Sequence, residues 1–507
     1  MSGLTGTDLA TSDKVELAAA ALALQGWYGA MTDLAEEFGV SRPTVYSAGS
    51  EARAVLTEHY AREGQARHLF AVDEEQLKRA IVGLRVAGHN SLRAIEALVP
   101  ILYDGLHVSY GKIQGILAEA EERAARFNAT VDLSRIKAGA LDEMFSQGAP
   151  VLAGVCLDTG FLFSLELCET RSASDWQRTL EAGKSQGLDL KTVVKDAAKG
   201  IQAGVSRAFP SAEQRDDCFH AQYEMSKVLQ QLEKKSYAAI SAEMEACKAI
   251  EKMKASLGGD RKQRRSLAAK AAHARKRCDK VLGLHDTFAN LVDDVRDALE
   301  IVDRETAQLR TAEEMKQRLD AAATSMQALN DKKCQKVGRY LANRAAGLVL
   351  YAAELHASLT ALGETHGHEA VRLACLIERL SHDLSNRWNP WRRYDNQRYL
   401  LGAHVLLKRS AGDAALTILA AVRELLARRH RASSAIEGFN AALRPHLYVH
   451  KGTSQSFLNL FRAYYNLRTR RWGRHKGTSA HEALTGQAVD DWLAMLGYPP
   501  PRLRAAA

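Results

Sequence analysis

The sequence predicts a multidomain protein that combines all-helical parts with an α/β core. Short apolar runs separated by turn signals occur in residues 131–222, whereas helical periodicity fills most of the remaining chain. The 507 residues exceed the size of one compact core, so several domains are expected. We therefore predict N-terminal helix-turn-helix units and an α/β core that a large all-helical insertion interrupts.

Composition restricts the class of protein. Hydrophobic residues make up 46% and charged residues 25% of the chain, as in ordinary globular proteins. A net charge of +9 suits a polyanionic partner, although ribosomal and membrane-surface proteins share this balance. The seven cysteines form no C-x-x-C pair, which argues against a zinc ribbon and favours a reducing compartment. No signal peptide or membrane-spanning apolar run is recognised, so we expect a cytoplasmic protein without a membrane partner.

Residues 1–60 carry a helix-turn-helix pattern. In LAEEFGVSRPTVY, a first helix over 32–38 meets Gly39, and Ser41 then caps a second helix. The second helix would face a DNA major groove. Its predicted DNA-binding residues are Ser41, Arg42, Thr44 and Tyr46. An ordinary helical hairpin is the alternative.

Residues 61–130 contain a similar, weaker pattern. A helix is followed by a turn at Gly105, and Ser109, Tyr110 and Lys112 open the next helix. We predict a second DNA-binding unit with these three residues as contacts, and a helical pair that serves only packing as the alternative.

Residues 131–222 read as the first part of an α/β core. KAGALDEMF, APVLAGVCLD and GFLFSLELCET predict an antiparallel meander, because QG and DTG turn signals separate them. A helix capped by Ser174, the strand KTVVKD, a second helix and the strand RDDCFHA follow. This order of elements is that of the ribonuclease-H-like fold, in which site residues lie at the carboxyl ends of strands. Asp216 and Asp217 would open the last strand and face solvent.

Residues 223–428 read as a helical insertion, with coiled-coil arms as one arrangement. Its most basic stretch, residues 260–280, is either a solvated helix face or a nucleic-acid contact. Trp388, Trp391 and Tyr394 alternate with arginines, a pattern that suits either base stacking or core packing. Arg392 and Arg393 are the predicted DNA contacts of that stretch.

Three carboxylates stand out as candidate metal ligands. Asp142 and Asp196 each follow a β-like run, and Glu437 lies in a helical one. Two strands and a helix can bring three carboxylates to a two-metal phosphoryl-transfer site. Asp158 competes with Asp142, although aspartate is common in turns such as LDTG, and Glu143 should point to the opposite strand face.

At these positions the chain resembles the DDE transposases of bacterial insertion sequences. The resemblance rests on LDE with Asp142, on VVKDAAKGI with Asp196, and on SSAIEGFNAALRPHLYVHKG with Glu437. It implies that the three acids are the catalytic metal ligands, with two Mg²⁺ ions, or Mn²⁺ as a substitute. It covers residues 140–222 and 430–490 best. The predicted core has its final part over 429–475, and a tail over 476–507 follows.

Further residues gain expected roles from their position. Arg444 and Asn440 share a helix face with Glu437, as does Ser433, and Arg444 would grip a DNA phosphate. Lys451, beside His450, offers another phosphate contact. His220 would end the last core strand near the metal ions.

We therefore expect a transposase that binds the terminal inverted repeats of a mobile element, cleaves DNA and joins the freed end to target DNA. Joining two ends requires a homodimer or a higher oligomer, and a bacterial, nucleoid-associated location follows. The alternatives are a ribonuclease-H-like nuclease or resolving enzyme without joining activity, and a domesticated sequence-specific DNA-binding regulator.

Overall fold

The computed structural model describes residues 9–61, 74–103, 105–196, 198–255, 260–385, 390–449, 452–473 and 475–500.

Three helices form the N-terminal unit. They are α1 (Thr11–Ala23), α2 (Ala30–Glu37) and α3 (Arg42–Ala61). Leu17, Leu34 and Val45 are buried between them in a small core of their own. Gly39 turns the chain between α2 and α3 with a φ of +64°, a conformation that favours glycine. The predicted pair of helices around Gly39 is thus present.

The next three helices belong to the core of the protein. They are α4 (Glu74–Val86), α5 (Leu92–Leu102) and α6 (Tyr110–Thr130). Their buried side chains, among them Ile81, Ile95 and Ile113, share one hydrophobic core with a face of the central sheet. Residues 74–130 therefore pack as part of the body that carries the sheet.

A five-stranded sheet forms the centre of the fold. Its elements are β1 (Ala138–Ser146), β2 (Ala149–Cys156), β3 (Leu162–Leu167), α7 (Ala173–Lys184), β4 (Thr192–Lys195), α8 (Lys199–Ala208) and β5 (Glu213–Asp216). The strands lie in the order β3-β2-β1-β4-β5. β1, β2 and β3 pair antiparallel, whereas β4 pairs parallel with β1 and β5 parallel with β4. The predicted meander and the order of strands and helices after it agree with this arrangement.

Two local predictions were wrong. Helix α7 is capped by Ser172, whose hydroxyl accepts the Asp175 N–H, and not by Ser174. The last strand ends at Asp216, and a helix begins at Cys218. Asp217 explains this early end, because its carboxylate accepts the Phe219 N–H over 2.8 Å and so satisfies a donor of the helix's first turn.

The sheet buries both faces. Ala140 and Met144 of β1 face a core that includes α6, and Leu141 between them faces a second core with α7 and α8. This alternation follows from the two-residue period of a strand.

Helices make up most of the described residues from Cys218 to Ala427. They are α9 (Cys218–Ala255), α10 (Arg261–Ala298), α11 (Ala312–Ala328), α12 (Lys332–Ala342), α13 (Ala345–His366), α14 (His368–Ser385), α15 (Pro390–Ala411) and α16 (Ala415–Ala427). The 38-residue helices α9 and α10 pack against each other, and their basal halves join the remaining helices in one core. A helical segment therefore lies between β5 and the C-terminal helices, and its role as an insertion into the core stays a prediction.

Helix α13 has the length and apolar composition of a membrane span. Its side chains Leu348, Tyr351, Leu355 and Leu359 are buried in the helical core. This burial is typical of the central helix of a bundle.

The C-terminal part returns to the sheet. It consists of α17 (Ser434–Val449), α18 (Gln455–Leu467), α19 (Ala480–Thr485) and α20 (Trp492–Met495). Asn466 of α18 binds the backbone N–H and C=O of Leu162 in the edge strand β3, over 2.8 and 2.9 Å. Asp491 forms a 2.7 Å ion pair with Arg79 of α4. The segment expected to be a tail thus packs against the body.

Candidate active site

Asp142 and Asp196 occupy matching positions on neighbouring strands. The last residues in the parallel register of β1 and β4 are Leu141 and Lys195, so the two aspartates come next on each strand. Residues in register on parallel strands point to the same face of a sheet, and here that face is the one of Ala140. The two carboxylates therefore lie on one face at the end of the β1–β4 pairing.

The two aspartates differ in their strand context. Asp196 is the first residue after β4, and its Oδ1 accepts the Ala198 N–H over 2.8 Å. Asp142 was expected at a strand end but lies inside β1, opposite Ala153 of β2. The prediction failed because β1 is longer than its parallel neighbour β4 and continues to Ser146. The hairpin to β2 then turns at Gln147 and Gly148, which both have positive φ.

Helix α17 brings Glu437 and Asn440 to this face. It packs against β1 and β2 through Phe439 and Leu443, which are fully buried. Asn440, only 1% exposed, donates a hydrogen bond from Nδ2 to Asp142 Oδ2 over 2.7 Å. Glu437 lies one turn earlier in the first turn of α17 and is half-buried.

The electrostatics of Asp142 link the three acids. Burial, together with the negative charges of Asp196 and Glu437, raises the pKa of Asp142 to about 6, against hydrogen bonds from Asn440 and the Glu143 N–H that lower it. A like charge shifts the pKa of a carboxylate only at short range, so both Asp196 and Glu437 lie close to Asp142. The three acids proposed as ligands therefore share one electrostatic environment.

The donor set suits a hard cation. Carboxylate oxygens are the ligands that Mg²⁺ prefers. Within the described ranges, however, no group of three or more His, Cys, Asp or Glu side chains is arranged so that it could hold a metal ion. Asn440 occupies one oxygen of Asp142. The acids thus supply a suitable charge and donor type without forming a closed ligand shell.

Glu143 occupies the other strand face, as predicted. Its carboxylate pairs with Arg171 over 2.5 Å. Burial raises the pKa of Glu143, and the charge of Asp196 adds to this effect. Glu143 is therefore a neighbour of the site on the side opposite Asp142.

Asp216 and Asp217 were predicted to face solvent, and this prediction was wrong. Asp217 is 5% exposed and accepts hydrogen bonds from the backbone N–H of Ser433, over 3.3 Å, and from its hydroxyl. Asp216 pairs with Lys195 and Arg344. Sequence patterns missed both because their partners lie more than 20 residues away, except for the cap signal of an aspartate directly before a helix.

The contacts of Asp217 close the base of the helical insertion. The Cys218 N–H donates to the Arg431 carbonyl over 3.0 Å, beside the bonds between Asp217 and Ser433. We call these contacts the insertion base. They hold the start of α9 beside the residues that lead into α17.

His220 and Asp158 lie apart from the three acids in their contacts. His220 was expected at a strand end but lies in the first turn of α9, 3.6 Å from Glu224. Asp158 lies in the turn between β2 and β3, where its carboxylate is 3.2 Å from His430 and its carbonyl contacts His475. Asp158 thus has contacts typical of a turn residue.

The predicted DNA-binding residues of the first unit cluster at the start of α3. Arg42 and Tyr46 are exposed, and the Ser41 hydroxyl accepts the Thr44 N–H over 3.3 Å. Val45 between them is fully buried. The start of α3 therefore presents exposed polar side chains on a helix that the buried Val45 side chain holds in place.

The predicted DNA contacts of the second unit, Ser109, Tyr110 and Lys112, have partners within the protein. Ser109 caps α6 by accepting the Lys112 N–H. The Arg93 guanidinium lies 4.4 Å from the Tyr110 ring centroid, and Lys112 pairs with Glu74 over 3.4 Å. A DNA contact by these residues stays a prediction.

Arg444 is exposed two turns after Glu437 on α17. Lys451 and His450 lie outside the described residues. Arg392 and Arg393 belong to the backbone of α15, whereas their side chains, like those of Trp391 and Tyr394, and all of Trp388 lie outside the described part.

Comparison with known proteins supports the resemblance. A solved structure of the Drosophila P element transposase strand transfer complex is 12% identical in sequence, and the match covers 76% of this chain and 98% of that one with a TM-score of 0.31. A search of curated proteins finds no match. Residues 146–360 match the model of the DDE_Tnp_ISL3 family, described as "Transposase", in a range that includes Asp196. Residues 146–360 of the chain are therefore similar to this transposase family.

Proposed function

We propose that this protein is a transposase that binds the ends of a bacterial mobile element, cleaves one DNA strand at each end and joins the freed 3′-hydroxyl to target DNA. The observation that carries the proposal is the convergence of three carboxylates: Asp142 is buried beside Asn440 and senses the charges of both Asp196 and Glu437. The family match supports the class of reaction. The mixed five-stranded sheet, with its antiparallel meander followed by two parallel strands, also supports the proposal.

In this proposal each side chain has a distinct task. Asp142, Asp196 and Glu437 would hold two divalent cations, Mg²⁺ or Mn²⁺, which activate the attacking hydroxyl and stabilise the leaving oxygen when bound. Asn440 fixes the orientation of the Asp142 carboxylate through its hydrogen bond. Arg444, on the same helix, would bind a phosphate of the DNA backbone.

DNA selection belongs to the N-terminal unit. The exposed side chains of Arg42 and Tyr46 at the start of α3 would contact base edges, as in a helix-turn-helix protein. Because two element ends must meet, we expect at least a dimer to be active.

A strand-transfer assay tests the proposal. The protein is incubated with Mg²⁺ and duplexes that carry the inverted repeats flanking its gene, and both cleaved and joined products are measured. Joined product supports a transposase, cleavage without joining supports a nuclease, and specific binding without cleavage supports a regulator. Asp196→Asn and Glu437→Gln should abolish cleavage, whereas the exposed Glu424→Gln serves as a charge-matched control. Full cleavage by Asp196→Asn would refute the assignment of the acids.

A further inference from the structure

The outer halves of α9 and α10 form a projecting two-helix arm. The last buried residue of α9 is Ala239, and the first of α10 is Cys278. Among the described residues between these two, none is buried. We define the arm as residues 240–255 of α9 and residues 261–280 of α10.

One side of the arm holds its two helices together. Leu267, Ala271, Ala274 and Cys278 are the half-buried or buried residues of the outer part of α10. Their spacing of three and four residues places them on one face, which packs against α9. The opposite face of α10 is therefore directed away from the partner helix.

That outward face is strongly basic. Residues 260–280 contain nine Lys or Arg and only two Asp, a net charge of +7 within a chain of net charge +9. Helical spacing places Lys262, Arg265, Lys276 and Lys280 in one row opposite the α9 contact. These four side chains are exposed, and the described residues offer none of them an ion pair.

We propose that this row, the arm row, binds the phosphate backbone of double-stranded DNA without reading its sequence. The row extends about 27 Å from Lys262 to Lys280. This length is shorter than one turn of B-DNA, which carries one phosphate charge about every 1.7 Å along its axis. The inference rests on the proposed function in one respect, namely that DNA is the polyanion on which the protein acts.

Two other occupants fit less well. A second copy of the arm would bring a charge of the same sign against this one, which repels it. A membrane surface requires a large apolar face next to the basic one, and the only large aliphatic side chain in residues 260–277, Leu267, faces α9. Charge complementarity therefore favours DNA.

The test compares two full-length variants that each remove four positive charges. In the arm-row variant Lys262, Arg265, Lys276 and Lys280 are replaced by Gln. In the control variant Lys234, Lys248, Lys252 and Lys254 of α9, all exposed, are replaced by Gln. Binding to a duplex of arbitrary sequence is measured across a salt series, with circular dichroism as a check of folding.

Each phosphate contact contributes about 0.9 to the slope of log K against log salt, so the arm-row variant should lose about 3 to 4 from this slope and bind about tenfold more weakly. The control should keep the parental slope. A variant with Arg at positions 262, 276 and 280 should also keep it, because the charge remains.

Equal slopes for the arm-row variant and the parent would overturn the proposal. A change of oligomeric state in the arm-row variant alone, measured by sedimentation with unchanged DNA binding, would also overturn it and make a second copy the partner. The assay requires no cleavage. An inactive Asp142→Asn protein that keeps the arm-dependent slope therefore separates this inference from the proposed reaction.

Discussion

Asn440 Nδ2 donates to Asp142 Oδ2 over 2.7 Å, and this bond connects α17 to the centre of β1. Both partners are shielded from solvent, since Asn440 is 1% exposed and burial dominates the pKa of Asp142. The bond fixes the rotation of the Asp142 carboxylate and also the position of Glu437, one turn away on the same helix. It is therefore the contact on which the geometry of the three acids depends.

Replacing Asn440 tests this dependence. Asn440→Ala should lower the cleavage rate about 10- to 100-fold and raise the Mg²⁺ concentration needed for half-maximal rate, because a lost supporting bond weakens metal binding by that order. Titration of cleavage with Mg²⁺ measures both effects. Asn440→Ala with an unchanged Mg²⁺ requirement would show that the bond only stabilises the fold.

Asp142→Asn should inactivate the protein and stabilise its metal-free form. The folded-state pKa of about 6 lies above the ordinary aspartate value of 3.8, so the charged carboxylate costs stability. This cost is absent below about pH 4, grows as the pH rises towards 6 and is complete above it. We expect Asp142→Asn to gain about 1 to 3 kcal/mol at pH 7.5 and little at pH 4.

Urea unfolding with a chelator present measures this gain. Asp189→Asn is the matched control, because 47% of the Asp189 side chain is exposed and its ion pairs with Lys191 and Lys137 lower its pKa. The control should show no gain at pH 7.5. A loss of stability in Asp142→Asn at that pH would contradict the electrostatic account.

Metal binding should be pH-dependent in the same range. A cation at this site must displace the proton of Asp142, so Mn²⁺ affinity should fall as the pH drops below about 6. Calorimetry in buffers of different ionisation enthalpy measures the released proton. Affinity that is equal at pH 5 and pH 7.5 would place the cation elsewhere.

Removal of one hydroxyl group should weaken the insertion base. Ser433→Ala removes the hydroxyl that donates to the buried Asp217, so we expect a loss of about 1 to 3 kcal/mol in unfolding free energy. Ser434→Ala next to it is the control, because Ser434 is exposed. Equal stability of the two variants, measured by denaturant unfolding, would contradict the role of this contact.

Recognition by α3 can be separated from catalysis. Arg42→Ala should weaken binding to element-end duplexes about tenfold relative to unrelated DNA, since one good base contact is worth roughly 1 to 3 kcal/mol. Arg53→Ala removes the same charge from the same helix, where Arg53 binds Gln25. Competition binding with both duplexes measures the ratio, and equal ratios for the two variants would exclude Arg42 from sequence reading.

Local signals predicted much of the fold. The QG turn before β2 and the glycine between α2 and α3 both mark backbone that needs a positive φ, and the structure has it there. Asn440 was placed on the face of Glu437 by helical spacing alone. Its bond to Asp142 could not be predicted, because it joins residues from opposite ends of the chain. Asp217 was misplaced for the same reason, since Ser433 gives it a buried partner that no local pattern reveals.

The insertion base also bears on how such a chain tolerates change. Because Asp217 and Ser433 meet where α9 leaves the sheet, the two ends of the helical segment lie side by side. The cost of closing a loop grows only slowly with its length, by about 0.6 kcal/mol for each doubling. We therefore expect that the helical segment can lengthen, shorten or be replaced while Glu437 keeps its position near Asp142 and Asp196.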